Sequence, residues 1–144
     1  MTKNHKKVSP RHNARQFAVQ ALYQWHINAE SAEITISHIL EHNLEEKADL
    51  NFFKNLFTNI LNHLDELDTL ISEHIDRALD ELTLIELSIL RIGCYELKYH
   101  LETPYRVIIN ESIELAKDFG ATESHKFING VFDSLAKPLR PLET

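Results

Sequence analysis

ELTLIELSILRIGCYEL, residues 81–97, opens with a helix signal and then offers almost no face to water. Thr83 and Glu86 have the spacing of a capping box, in which a hydroxyl and a carboxylate satisfy the first free N–H groups of a helix. The helix they open is expected to run to about His100. Leu84, Ile85, Leu87, Ile89, Leu90, Ile92, Tyr95 and Leu97 point to nearly every azimuth of it. A helix apolar all round must be covered on most sides, so this segment is predicted to be the central helix of an all-α protein. Its charged residues Glu86, Arg91 and Glu96 face three directions. Arg91 and Glu96 are expected to pair inside the bundle, and Glu86, with Asp80 and Glu81, to form an acidic surface cluster. That cluster reads either as a site for a basic partner or as an ordinary solvated cap.

Outward from this helix the punctuation is regular. On the C-terminal side Thr103-Pro104 opens a helix ending at Gly120, placed as a left-handed C′ residue. The stretch SHKFINGVF (124–132) lies in a last helix bracketed by Thr122 and Pro138. On the N-terminal side Ser9-Pro10 gives a cap and a first-turn proline, and no breaker follows until about Asn28. Ala14, Ala18, Ala21, Leu22 and Trp25 form one apolar stripe on this first helix. Arg11 and Arg15, four apart, are expected side by side on its surface. Helices at about 33–42, 49–63 and 65–79 fill the middle with weak breaks. The result is a compact bundle of about seven helices, with a basic arm over residues 1–10 and one helical domain over 11–140. Gly93 and Gly130, interior to two helices, are read as points of close helix approach.

Composition bounds the function. The 144 residues contain a single cysteine, Cys94, which rules out an internal disulfide and a cysteine zinc cage, and no segment is long enough to cross a bilayer. A cytoplasmic protein is expected. Net charge is −7, unevenly spread: five basic residues and no acid precede Glu30, whereas ten basic and 22 acidic side chains make up the rest. A basic arm on an acidic body reads as polyanion binding or as a solvated terminus. HILEH (38–42) matches the H-x-x-E-H zinc pattern, but a third ligand and a cleft are missing from the pattern, and a solvated helix face is the simpler reading. There is no Gly-rich phosphate loop and no G-x-S-x-G, and Cys94 is expected to be a buried structural thiol. No catalytic residue, metal site or cofactor is expected. Tyr23, Trp25, Phe119 and Phe127 have the pattern of core aromatics. Phe127, beside Lys126 and near Asn129, also suits stacking of an unpaired base.

The runs ARQFAVQALYQW (14–25), ELTLIELSILRIGCYEL (81–97) and TPYRVIINESIELAKDFGATESHKFINGVFD (103–133), with the closing Arg140-Pro141, resemble the NusB family of bacterial transcription antitermination factors. The resemblance runs from about Arg11 to Pro141 and is loose between 30 and 80. It implies two three-helix bundles sharing a helical body and no enzymatic activity. It implies binding of single-stranded boxA RNA in nascent ribosomal transcripts, together with the ribosomal protein NusE, and uptake by RNA polymerase. By position, the family's RNA-binding residues fall on Arg11, His12, Asn13 and Arg15 and on Glu123, Lys126 and Phe127. Its NusE face falls on Arg77, Glu81 and Glu86. His12 and Asn13 stand where close relatives carry arginines, which is expected to weaken phosphate contact unless Lys3, Lys6 and Lys7 compensate. Two other readings stand beside it: a protein-only helical adaptor whose arm is merely solvated, and an RNA-targeting module like that fused to ribosomal RNA methyltransferases, for whose catalytic part this chain has no room.

Overall fold

The structure, a computed structural model, describes residues 8–144; Lys3, Lys6 and Lys7 of the basic arm lie outside the described residues. Seven α-helices and no strand occur among the described residues: α1 Pro10–Asn28, α2 Ala32–His42, α3 Leu50–Asn62, α4 Leu64–Ser72, α5 Leu84–Tyr99, α6 Tyr105–Asp118 and α7 His125–Leu139. As its sequence predicts, α5 is the hub. Every residue from Leu87 to Leu97 is buried, and α1, α3, α4, α6 and α7 all pack on it. One group, α1 to α3, gathers around the N-terminal side of the core, and α4, α6 and α7 around the other. No helix is long and apolar enough to cross a membrane among the described residues.

The caps explain where elements start. Ser9 Oγ accepts from the His12 amide, Ser31 Oγ from Ile34 and Asp49 from Phe52. Thr83 and Glu86 form the reciprocal box expected of them. Gly120 sits at φ 74° directly after α6, as a C′ glycine should. Two boundaries differ from expectation. Instead of continuing to 79, α4 stops at Ser72, where Glu73 and Asp76 would oppose the helix dipole, and His74 Nδ1 shares a hydrogen bond with Ser134 Oγ of α7 at 2.7 Å. A short 3-10 helix, Leu79–Glu81, leads into α5. Likewise α7 begins at His125 after a 3-10 turn, Thr122–Ser124, because the Ser124 hydroxyl donates to Glu86 at 2.6 Å and does not cap its own helix.

The two interior glycines have opposite explanations. A Cβ on Gly93 would lie 2.3 Å from Cζ of Phe132, so α7 closes on α5 through this missing atom. Gly130 is exposed, and a Cβ there would meet nothing within 4 Å; the expected close packing is not its role. Its φ is ordinary, so Gly130→Ala should raise stability by about 0.5–1 kcal/mol through helix propensity. Urea denaturation checks this, and a loss of stability would contradict it.

The end of α5 is closed from far along the chain. Arg140, buried, donates from Nε to the Leu97 carbonyl at 2.7 Å and from its two Nη atoms to the carbonyls of His100 at 2.9 Å, Thr103 at 3.0 Å and Glu96 at 3.3 Å. The carbonyls of a helix's last turn lack intrahelical partners, and one guanidinium supplies several donors in a fixed fork.

Candidate nucleic-acid interface

The first turns of α1 carry four of the residues expected at the RNA, and the structure turns three of them inward. Arg15 is 4% exposed. Its Nε and Nη2 donate to the two carboxylate oxygens of Glu96 at 2.7 and 2.9 Å, and Nη1 reaches Glu111 at 3.4 Å. Burial opposes its charge, but the bidentate bonds and the charge of Glu96 outweigh it and hold the guanidinium firmly protonated. Glu96, the most deeply buried acid, is in turn kept ionised: Arg15 and His100 overcome the penalty of its burial. The expected Arg91–Glu96 pair is therefore replaced by two others, since Arg91 makes its own fork with Asp68, both contacts at 2.9 Å. Helix azimuth separates the two: Arg91 faces α4, and Glu96 faces α1.

His12 lies between α1 and α6, with Nδ1 2.6 Å from Glu111 and Nε2 2.6 Å from Asp118. The Glu111 bond, then the Asp118 bond, raise its pKa above the ordinary 6.5 despite partial burial. Both ring nitrogens donate in this arrangement, so the imidazolium fits it best. Asn13 donates from Nδ2 to the Lys47 carbonyl at 2.8 Å and ties α1 to the approach of α3. Only Arg11 keeps an exposed charge. It lies 4.3 Å over the Phe52 ring and 3.8 Å from Asp49. The i, i+4 spacing does place Arg11 and Arg15 on one stripe, but within one turn that stripe passes from solvent to the acidic sides of α5 and α6.

The second group stays together around the start of α7. Lys126 is exposed and Phe127 half-buried at the core edge. Lys126, Phe127, Gly130 and Val131 line a shallow groove with Glu73 to Asp76 of the turn after α4. Glu123 is exposed in the preceding 3-10 turn. Among the residues assigned to the partner face, Arg77 lies with its guanidinium carbon 4.2 Å over the Phe127 ring. Glu81 accepts from the Ala78 amide at 2.9 Å. Glu86 is half-buried and occupied by the Thr83 amide and the Ser124 hydroxyl, so it joins α5 to the turn before α7.

Between the two groups lies a feature that the sequence reading misses. Tyr23, Trp25, Phe119 and Phe127 are not core residues: Tyr23 is 41% exposed, and the other three are only partly buried against the core. Tyr23 and Phe119 line a groove of about 520 Å³ with Val19, Gln20, Gln24, Ile39, His42 and Ile85. Phe119 also walls the neighbouring grooves toward Asn13 and Gln16 on one side and toward Glu123 and Ser124 on the other. Three grooves that meet at the partly buried Phe119, with exposed Tyr23 and side-chain amides on their walls, thus lie between the first turns of α1 and the start of α7. The available signal was Tyr23 itself, which stands off the alanine stripe of α1.

The HILEH residues are otherwise engaged. His38 Nδ1 accepts from Gln24 at 2.9 Å, and His42 Nδ1 donates to the His38 carbonyl at 2.7 Å. Among the described residues no group of three or more His, Cys, Asp or Glu could hold a metal ion. Cys94 is fully buried, and burial pushes its thiol up to about 12, the behaviour of a structural cysteine.

Residues 12–137 match the model of the NusB family. The chain is 49% identical over 140 residues to the transcription antitermination protein NusB of Actinobacillus succinogenes, covering 96% of this chain and 98% of that one. It is 46% identical over 138 residues to the protein of the same name from Pasteurella multocida, covering 95% of each. Among solved structures, T. maritima NusB superposes with a TM-score of 0.80 at 31% identity, covering 91% of this chain and 93% of that one. A crystal structure of the antitermination factors NusB and NusE in complex with double-stranded RNA gives a TM-score of 0.79 at 26% identity, covering 88% and 96%.

Proposed function

This chain belongs to the NusB family, a family of antitermination factors and not of enzymes, and from that premise we propose that it binds single-stranded boxA-type RNA in nascent ribosomal transcripts together with NusE. The complex then joins RNA polymerase in the cytoplasm and opposes premature termination. The observation that carries this reading is the set of three grooves that meet at Phe119, walled by Asn13, Tyr23 and Glu123, with Lys126 and Phe127 beyond them. Unpaired bases stack on aromatic faces for about 1–3 kcal/mol each, with little regard to sequence, and side-chain amides read base edges. A solved relative that assembles with NusE and RNA adds to the case. In this reading Arg11 and Lys126 touch RNA and Phe127 underlies its path, while His12, Asn13 and Arg15 act as positioning residues that fix α1. Glu123 borders the path, and Glu81 and Glu86 mark the face offered to NusE.

Charge supports a need for the partner. With the Arg15 charge already matched by Glu96, the arm retains Lys3, Lys6, Lys7 and Arg11. Each phosphate neutralised on a single strand contributes about −0.7 to the slope of log affinity against log salt, so these four and Lys126 give a slope no steeper than about −3.5. Fluorescence anisotropy of a labelled boxA strand and a scrambled one, at several salt concentrations with and without NusE, tests the reading. The expected result is weak, shallow-sloped binding by this protein alone, and selective binding that tightens with NusE. Absence of discrimination under both conditions would leave a helical adaptor.

A further inference from the structure

The contact between Arg77 and Phe127 assigns Arg77 a different place from the partner face. Resting on the RNA-binding reading above, we infer that the Arg77 guanidinium is the outer tier of a stacking platform built on Phe127, and that an unpaired RNA base lies on the guanidinium. The guanidinium carbon stands 4.2 Å over the ring centroid, at the distance of a direct cation–π contact. Phe127 has its inner side packed against the core, so its position is set by the fold. Asp76 accepts from Arg77 Nε at 3.2 Å and steadies the side chain from the side. Among the described residues the Nη nitrogens have no hydrogen-bond partner, and 42% of the Arg77 side chain faces solvent. A guanidinium plane offers a base the same kind of surface as an aromatic ring and adds charge for the neighbouring phosphate. Lys126 and the bare backbone of Gly130 border the same groove, which leaves room for a nucleotide beside the stack.

This arrangement separates stacking from charge. Arg77→Lys keeps the charge and removes the plane; Arg77→Ala removes both. Single-stranded RNA carrying 2-aminopurine at successive positions is titrated with the unaltered protein, both variants and Phe127→Ala, each in the presence of NusE. Arg77→Lys should bind about tenfold more weakly with an unchanged salt slope, the loss typical of one stacked base. It should also restore the fluorescence of the one 2-aminopurine position quenched at this site. Arg77→Ala should lose at least as much affinity and flatten the slope. Lysine performing as well as arginine would overturn the platform and leave only a charge. RNA binding unchanged in both variants, with weakened NusE capture, would overturn it in favour of the partner face. Failure of the unaltered protein to bind RNA would instead bring down the RNA-binding reading on which the inference rests.

Discussion

Arg15→Ala should unfold in urea with about 3–5 kcal/mol less stability than the unaltered protein, the range for breaking a buried ion pair by removing one partner. The loss arises from what is left behind. Glu96 is 1% exposed, and without the fork from Arg15 its carboxylate retains only His100, at 3.1 Å, to offset burial. Glu96→Gln should lose less, because an amide without charge is easier to bury than an orphaned carboxylate. A double replacement, Arg15→Met with Glu96→Met, should recover most of the loss, since a buried pair exchanged for apolar side chains is often neutral or stabilising. A single-mutant loss below about 1 kcal/mol would place this pair with surface bridges, contrary to its burial.

The second large effect is expected at Gly93. Gly93→Ala puts a methyl 2.3 and 2.5 Å from two ring carbons of Phe132 and 3.1 Å from Ser112 Oγ. Phe132 is fully buried and has nowhere to swing, so α7 must move off α5 or the ring must leave its rotamer. Overpacking of this kind costs about 1–3 kcal/mol and occasionally more. Phe132→Leu creates a cavity in the unaltered protein, yet in the Gly93→Ala background it relieves the clash. The two losses should therefore add to more than the double variant shows, with a coupling of about 1 kcal/mol or more by double-mutant cycle. Strict additivity would mean that the methyl is accommodated elsewhere. Gly130→Ala, two positions from Phe132 and on the opposite side of the same helix, should do the opposite, and the contrast isolates close approach from helix propensity.

How far the fold could be read ahead of the structure depended on whether local chemistry decides. Capping residues and prolines act within four positions, so the starts of α1 and α5 and the glycine stop after α6 were legible. The central place of α5 followed from its apolar azimuths. What failed was partner choice. Arg91 and Glu96, five positions apart, are separated by about 140° around one helix and cannot pair, while the partner Glu96 does take, Arg15, is set by the packing of α1 against α5. The candidate site divides the same way. That Lys126 and Phe127 border one groove was legible because they adjoin in sequence after a polar cap. The groove at Tyr23 and Phe119 was not, because its walls come from α1, α2, α5 and the end of α6, and an aromatic in a helical pattern looks the same whether it fills a core or lines a cleft.

Arg140 gives the molecule an order of events in time. The carbonyls at the end of α5 belong to residues 96 to 100, but the guanidinium that satisfies them enters the chain about forty positions later. On a ribosome, which adds residues in one direction at roughly 5–20 per second, those carbonyls remain with water while α6 and α7 are being made. The hub of the fold is thus begun before α6 and α7 exist and sealed only after them, so that Arg140 acts as a latch on the helices made before it.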